Sequence, residues 1–438
     1  MNKKVLNEAK NIFVIAFPII VASVSHLLMG FTDNVMAGRY SSVDLAGVSL
    51  GSAIWLPVTL FFMAILSSAT PLMSTSIGRD GGKGNSEIFK TGLFLAALIG
   101  LILIFIINLS TPLLKIFIKE NKTAEITKNY LIFVSFAIPG FLIYQVIRSV
   151  FESIGKTAPI MISSFIGMLL NIPLNYIFIY GKLGVKPFGG SGCGIATSIS
   201  TYVMLILLLL ILNKAQILKK GKLSKEKVKQ IIKLGLPIGA ATFLEAFIFS
   251  FGSIMLAPLG TITVASHQIA LNFISTIFMI PMSLGIAISV RVSHKYGEND
   301  LLYSTTVWKI GIGMVLSIAL FSSILMYLLI DKIIGFYTKD PSLIYNTKPL
   351  MMLAISFHII DAFQVAANNA LKGYHNTKYP MWISLFSYWI IALPLSYILV
   401  YIFNLAAIGF WIALIVGIVI AAGLLGYKLI KDYNFKNL

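Results

Sequence analysis

The chain reads as an all-α integral membrane protein of twelve transmembrane helices, arranged as two six-helix lobes related by a parallel internal repeat. Its 438 residues are 58% hydrophobic and only 11% charged, where a soluble domain carries about 25% charged residues. The apolar runs are long and continuous, unlike the short alternating segments of an outer-membrane barrel, so a helix bundle must satisfy the backbone inside lipid. A third ground is that the second half of the chain restates the first.

Sliding the sequence against itself by 219 residues aligns Phe17–Ile19 with Leu236–Ile238. It also aligns Met36, Ala46, Met63, Ser74 and Gly78 with Met255, Ala265, Met282, Ser293 and Gly297. Phe117 and Gln145 then meet Phe336 and Gln364, and after a slip of two IPLNYIFIY (Ile172–Tyr180) meets LPLSYILVY (Leu393–Tyr401). An even number of spans per half brings both halves in from the same side, so the repeat is parallel and its pseudo-twofold axis lies along the membrane normal. Two such lobes facing one another enclose a central cavity.

Taken in order, the apolar runs predict helices at 11–37, 45–75, 88–110, 128–152, 158–180, 191–213, 230–256, 263–290, 305–330, 347–371, 379–402 and 405–427. The start MNKK resembles the basic end of a signal peptide, but the apolar run after it exceeds an h-region and no small-residue cleavage site follows, so it is read as a retained first span. The most basic connection, 214–229, holds seven lysines against Glu226. It divides an N-lobe, 1–213, from a C-lobe, 230–438. Placing that linker in the cytoplasm puts both termini there, with Arg79/Lys83, Arg148/Lys156, Arg291/Lys295 and Lys372/Lys378 in loops on the same side. Of the 34 Lys and Arg, 24 then lie inside and 10 outside, as the positive-inside rule requires of a cell (inner) membrane protein.

The net charge of +18 therefore reports topology, and nucleic acid is not an expected partner. Cys193 is the only cysteine, which excludes an internal disulfide and a cysteine-rich metal site. The five histidines show no HxxxH or HxxH pairing. Gly78–Lys83 has the wrong glycine spacing for a phosphate loop, and Gly84 stands where Ser or Thr should follow the lysine. No nucleophile and base are paired, so an enzyme is not expected.

Three acids interrupt this pattern. From Ile12 to Thr32 the first helix carries no formal charge, and Asp33 then arrives with apolar Val35, Met36 and Ala37 still to come. Glu245 and Asp361 each have at least a turn of apolar sequence on both sides. A charge at membrane depth costs about 2.5–3.5 kcal/mol on insertion scales, so such acids are functional candidates. The repeat does not pair them: Asp33 aligns with Gly252, Glu245 with His26, and Asp361 with Leu142. Paired structural groups are the plainer reading, but no Lys or Arg is expected within the apolar runs to pair with them. A carboxylate so placed takes up a proton or binds a metal cation, and either makes it an exchangeable cation site. Asn171 and Asn175, one turn apart, and Thr197 in the sixth helix are candidate oxygen ligands, though interhelical amide hydrogen bonds would explain the asparagines equally well. His26, Gln268, Asn272 and Gln364 are candidates to line the cavity, as are some of the 16 Met and of the aromatic residues.

Pro18, Met29–Asp33 and Ala37–Arg39, together with ASHQIALNF (Ala265–Phe273), Asp361–Gln364 and Leu371–Tyr374, resemble the multidrug and toxic compound extrusion (MATE) family, NorM-like branch, over essentially the whole chain. The resemblance implies an antiporter, without cofactor, that expels amphipathic and often cationic drugs and dyes in exchange for Na⁺ or H⁺. It implies that Asp33 is the acid of the N-lobe, with Asn171, Asn175 and Thr197 around it, and that Glu245 and Asp361 form the pair of the C-lobe. Na⁺ is a candidate ligand at any of the three acids. The sequence departs from some members at Asn175, where they have Asp, and at Phe357, where they have Tyr. A lipid-linked oligosaccharide flippase of the same broad fold is the alternative, but its anionic substrate calls for basic groups. Nothing asks for more than a monomer and its lipid.

Overall fold

The computed structural model describes residues 3–215 and 221–435; residues 216–220 of the basic linker lie outside the described residues. Among the described residues twelve helical segments are long and apolar enough to cross a membrane, and there is no strand. They are α1 (Lys3–Tyr40), α2 (Ser42–Asp80), α3 (Asn85–Leu113), α4 (Asn121–Ser153), α5 (Ala158–Tyr180) and α6 (Gly189–Lys214) in the first half. The second half has α7 (Lys225–Leu259), α8 (Thr261–Gly297), α9 (Leu301–Tyr337), α10 (Pro341–Gly373), α11 (Lys378–Ile402) and α12 (Ala406–Tyr433). Each of the twelve expected helices is present, and most run past the expected ends. An apolar run stops at the first charge, whereas backbone hydrogen bonding does not, so α1 begins at Lys3 and α9 continues to Tyr337.

Breaks within the helices follow from their chemistry. Pro139 has no N–H to give the carbonyl four residues back, and α4 bends there, between Ser135 and Ala137. The bend lets α3 come close: a Cβ on Gly100 would lie 2.7 Å from the Cα of Pro139. In α2 the turn at Ser67–Ser68 interrupts the ladder, and the Ser68 hydroxyl donates to the Ile231 carbonyl at 3.1 Å. α11 opens into wider π-helical turns at Leu385–Ala392 and Ile398–Ile402, on either side of Pro394. Its repeat partner α5 is α-helical throughout, although the motifs IPLNYIFIY and LPLSYILVY match. Turns of this kind are frequent at functional sites.

The chain packs into two compact units, one of Pro18–Gly239 and one of Met1–Phe17 with Ala240–Leu438. The halves drawn by chain order thus exchange two short pieces. The first turns of α1 belong with the second half, and the start of α7 belongs with the first. Pro18 and Pro237 stand at or beside the two crossing points. In the unit containing Ala240–Leu438, the Arg291 guanidinium donates to both oxygens of Glu8 at 2.7 Å, and the Tyr303 hydroxyl adds a bond at 3.3 Å.

The core of the Pro18–Gly239 unit is built on α4, whose residues from Tyr144 to Ser153 are all buried. That stretch includes charge. Arg148 and Glu152, one turn apart, form a buried ion pair at 2.7 Å, and Thr70 donates to the other Glu152 oxygen at 2.8 Å. Arg148 is therefore not a loop residue, as its place near a helix end suggested, and a basic group does lie among the apolar helices. Arg291, expected in a loop as well, is within α8. Asp44 is likewise buried, accepting the Ser41 hydroxyl at 2.6 Å and the Gly190 backbone N–H at 2.5 Å.

Candidate functional site

Asp33 faces inward from an unbroken α1 in the Pro18–Gly239 unit and is buried. One oxygen, Oδ1, accepts the Asn175 side-chain N–H at 2.6 Å; the other, Oδ2, accepts the Thr197 hydroxyl at 2.9 Å. The Asn175 amide also donates to Asn171 Oδ1 at 3.0 Å, so α1, α5 and α6 are joined through one carboxylate. The i, i+4 spacing puts both asparagines on the same face of α5. No Lys or Arg makes an ion pair with Asp33 among the described residues. All four residues picked from the sequence for this site come together.

The amides hold a further property. Asn171 Nδ2 and Asn175 Oδ1 are buried without a hydrogen-bond partner among the described residues. Amide orientation is assigned from the hydrogen-bond network, and the orientation here is the one an ionised carboxylate demands, because both of its oxygens need donors. If both amides rotate, Asn175 Oδ1 faces Asp33 and accepts from Asn171 Nδ2. Two oxygens then face each other, which is favourable only with a proton or a cation between them. The site therefore has two hydrogen-bonding states that differ by one positive charge.

The second cluster lies in the other unit. Glu245 Oε1 accepts the Ser384 hydroxyl at 2.8 Å and the Gln364 amide at 3.3 Å. Asp361, one turn before Gln364 on α10, is buried and accepts no hydrogen bond from a described side chain. Glu245 and Asp361 act on each other electrostatically, and the buried Tyr388 lies in the field of both. Ser384 ends the first α-helical stretch of α11 and Tyr388 stands in its first π-helical segment. The first π-helical segment thus carries a tyrosine in the field of both acids. Trp389, also in that segment, donates to the Leu244 carbonyl at 3.3 Å and joins α11 to α7 beside Glu245.

Of the residues expected to line a cavity, Gln364 donates to Glu245. Gln268 is exposed and donates to Ser253 at 2.8 Å, and Asn272 is exposed on the same helix. His26 is half-buried, with Nε2 at 3.3 Å from the Ser164 hydroxyl. Ser384 and Tyr388 were not selected from the sequence. The repeat contains a signal for the first, since Ser384 follows Ser163 by the same 221 residues that separate the two nine-residue motifs. The repeat also accounts for the unequal acids. Gly252 occupies the position of Asp33, and a Cβ there would collide with the Phe410 ring, so the second half has no room for a carboxylate at that level.

The family profile MatE matches the chain twice, at residues 18–177 and 237–398. The chain belongs to the MatE family. The two matches start 219 residues apart and end 221 apart, which is the repeat and the slip found in the sequence alone. The chain is 38% identical over 427 residues to the probable multidrug resistance protein NorM of Shewanella oneidensis, covering 95% of this chain and 93% of that one. It is 37% identical over 436 residues to the multidrug resistance protein NorM of Vibrio cholerae, at 96% and 95%. Its fold is that of a solved eukaryotic MATE transporter, with a TM-score of 0.88 at 18% identity over 98% of this chain and 97% of that chain. The Vibrio cholerae MATE transporter VcmN in its bent form is also similar, with a TM-score of 0.87 at 17% identity over 98% of each chain. As a MatE protein with twelve apolar spans, the chain is a multi-pass membrane protein.

Proposed function

We propose that this MatE protein is a cation-coupled multidrug efflux antiporter of the cell membrane, with both termini in the cytoplasm and the monomer as the working unit. It exports amphipathic, often cationic drugs and dyes by alternating access and takes up Na⁺ or H⁺ in return. The NorM names of its relatives support the substrate class. The observation that carries the coupling is the Asp33 carboxylate, buried without an ion-pair partner among the described residues and held by the Thr197 hydroxyl and by Asn175, whose amide pair with Asn171 has a second arrangement available.

Coupling requires that cation and drug favour different conformations, since a ligand that binds both equally shifts neither. At Asp33, arrival of a proton or Na⁺ turns the amides of α5 and removes the need for the Thr197 and Asn175 donors that tie α1 to α5 and α6. Loss of the cation restores those ties. At Glu245 and Asp361, two carboxylates share one apolar neighbourhood, and a bound cation relieves their mutual repulsion. A drug cation drawn to either cluster competes with the coupling ion for the same negative charge.

The test is ethidium export from proteoliposomes under an imposed Na⁺ gradient and, in a separate set, an imposed pH gradient. Export driven by one of them names the ion. Ethidium that moves under neither, with the protein folded and correctly inserted, contradicts the proposal.

A further inference from the structure

One buried acid has no part in the export cycle proposed above. Asp44, in the first turn of α2, is 4% exposed, and no Lys or Arg makes an ion pair with it among the described residues. Its Oδ2 accepts the Ser41 hydroxyl at 2.6 Å and its Oδ1 accepts the Gly190 backbone N–H at 2.5 Å. Ser41 is the single residue between α1 and α2, and Gly190 lies at the start of α6, so one carboxylate fastens the α1–α2 corner to α6. The neighbouring glycine permits the close approach: Gly189 has a φ of +60°, and a Cβ on it would lie 2.5 Å from Asp44 Oδ1. The end of α5 joins the same junction, where the Tyr180 hydroxyl donates to the Met36 carbonyl at 3.2 Å and its ring centroid lies 5.8 Å from that of Tyr40.

The helices that meet at this junction are those that hold the Asp33 carboxylate. Asp33 stands two turns before Tyr40 on α1, Asn175 five residues before Tyr180 on α5, and Thr197 seven residues after Gly190 on α6. Between Gly190 and Thr197, the Cys193 thiol donates to the Asp33 backbone carbonyl at 3.5 Å and lies in the field of both Asp33 and Asp44. Tyr130 of α4 also lies in the field of Asp33. The bonds of Asp44 and the bonds that Asn175 and Thr197 give to Asp33 are thus made together, by the same helices.

We infer that Asp44 is a positioning residue, which holds the start of α6 against the α1–α2 corner and so favours the cation-free arrangement of the Asp33 site. The role rests on the coupling proposed above and adds to it a second acid, one that sets how readily the cation binds without touching it. Releasing Asp44 loosens the donors of Asp33, and an ionised carboxylate with weaker donors takes up its cation more readily.

The test measures ethidium export by the full-length protein in proteoliposomes against the concentration of the coupling cation, Na⁺ or H⁺, whichever drives it. Wild-type export that depends on neither defeats the coupling itself, and the role of Asp44 with it. With coupling established, Asp44→Ala lowers the cation concentration for half-maximal export by about tenfold, the worth of one charge-assisted hydrogen bond. Ser41→Ala removes one of the two bonds and lowers it by about threefold, and it carries the test if Asp44→Ala does not insert. Asp44→Asn, whose amide can keep both bonds, stays within about twofold of wild type. Asn108→Ala cuts a bond at 3.0 Å between α3 and α4 of the same unit and also stays within about twofold. The direction separates the two roles, because structural damage alone weakens cation binding whereas release of this tie strengthens it. An unchanged or raised half-maximal concentration in inserted Asp44→Ala, or in Ser41→Ala where that variant stands in for it, overturns the inference.

Discussion

Replacing Asp33 by asparagine removes a charge and almost nothing else. Asn is the same shape, and both partners of Asp33 can reverse their roles. Asn175 has a spare buried oxygen to turn towards a new N–H, and the Thr197 hydroxyl can accept as well as donate. The fold should therefore lose less than about 1 kcal/mol, the worth of one ordinary hydrogen bond. Asp33→Leu differs, because it strands the Asn175 N–H and the Thr197 hydroxyl in a buried site at about 1–3 kcal/mol each, and its melting in detergent should fall clearly below that of Asp33→Asn. Transport should separate in another way. A gradient of one pH unit, or a tenfold Na⁺ gradient, is worth about 1.4 kcal/mol per ion and can drive about tenfold accumulation of exported drug. Asp33→Asn cannot exchange a cation at this site, so its drug accumulation ratio should fall to about that of empty liposomes while its melting matches wild type. Full accumulation by Asp33→Asn would refute the reasoning about coupling. Melting as poor as that of the leucine variant would refute the reasoning about the amides.

Glu245→Gln and Asp361→Asn should likewise abolish gradient-driven efflux with insertion intact, measured as ethidium resistance against membrane protein content; full resistance in both would remove the second cluster from the mechanism. Arg148→Met should cost about 3–5 kcal/mol in apparent stability by leaving Glu152 buried with only Thr70. Adding Glu152→Met should restore most of that loss, and a double variant that melts no better than the single one would contradict the assignment. Gly100→Val should also lower the melting temperature, because its side chain meets the backbone of Pro139 and α3 has to move away from α4. Glu8→Gln replaces the charged clasp on Arg291 and Tyr303 by weaker bonds, and proteolysis of the α1 start should accelerate at least severalfold relative to wild type.

The spans were legible because each needs about 20 apolar residues, and the two-half plan because the repeat holds its register for about sixty residues. Helix ends were less so, since a lysine stops an apolar run without stopping a helix, as α1 and α7 show. Buried charge near helix ends was hidden for the same reason. Arg148 and Glu152 look like the edge of a loop in the sequence, and only packing of α4 against Thr70 reveals them as core. The Asp33 cluster was readable as residue types, because an isolated acid on an apolar helix and two amides four residues apart are local patterns. Ser384 and Tyr388 were not, because a serine and a tyrosine in a membrane helix are ordinary and the π-helical turn that presents Tyr388 has no counterpart in α5. Gln268 and Asn272 follow the buried His267 on α8 and are themselves exposed, so a polar cluster in sequence does not fix which of its members is buried.

The most direct measurement is the affinity of the purified protein for ethidium as a function of Na⁺ concentration and of pH. If drug and coupling ion favour opposite states through these acids, one of the two cations must weaken ethidium binding, and the drug must weaken that cation's binding by the same factor. Asp33→Asn should flatten the dependence, and Glu245→Gln or Asp361→Asn should reduce it. Ethidium affinity that is indifferent to both cations in the wild-type protein, or that keeps its full dependence when all three acids are neutralised, would contradict the account.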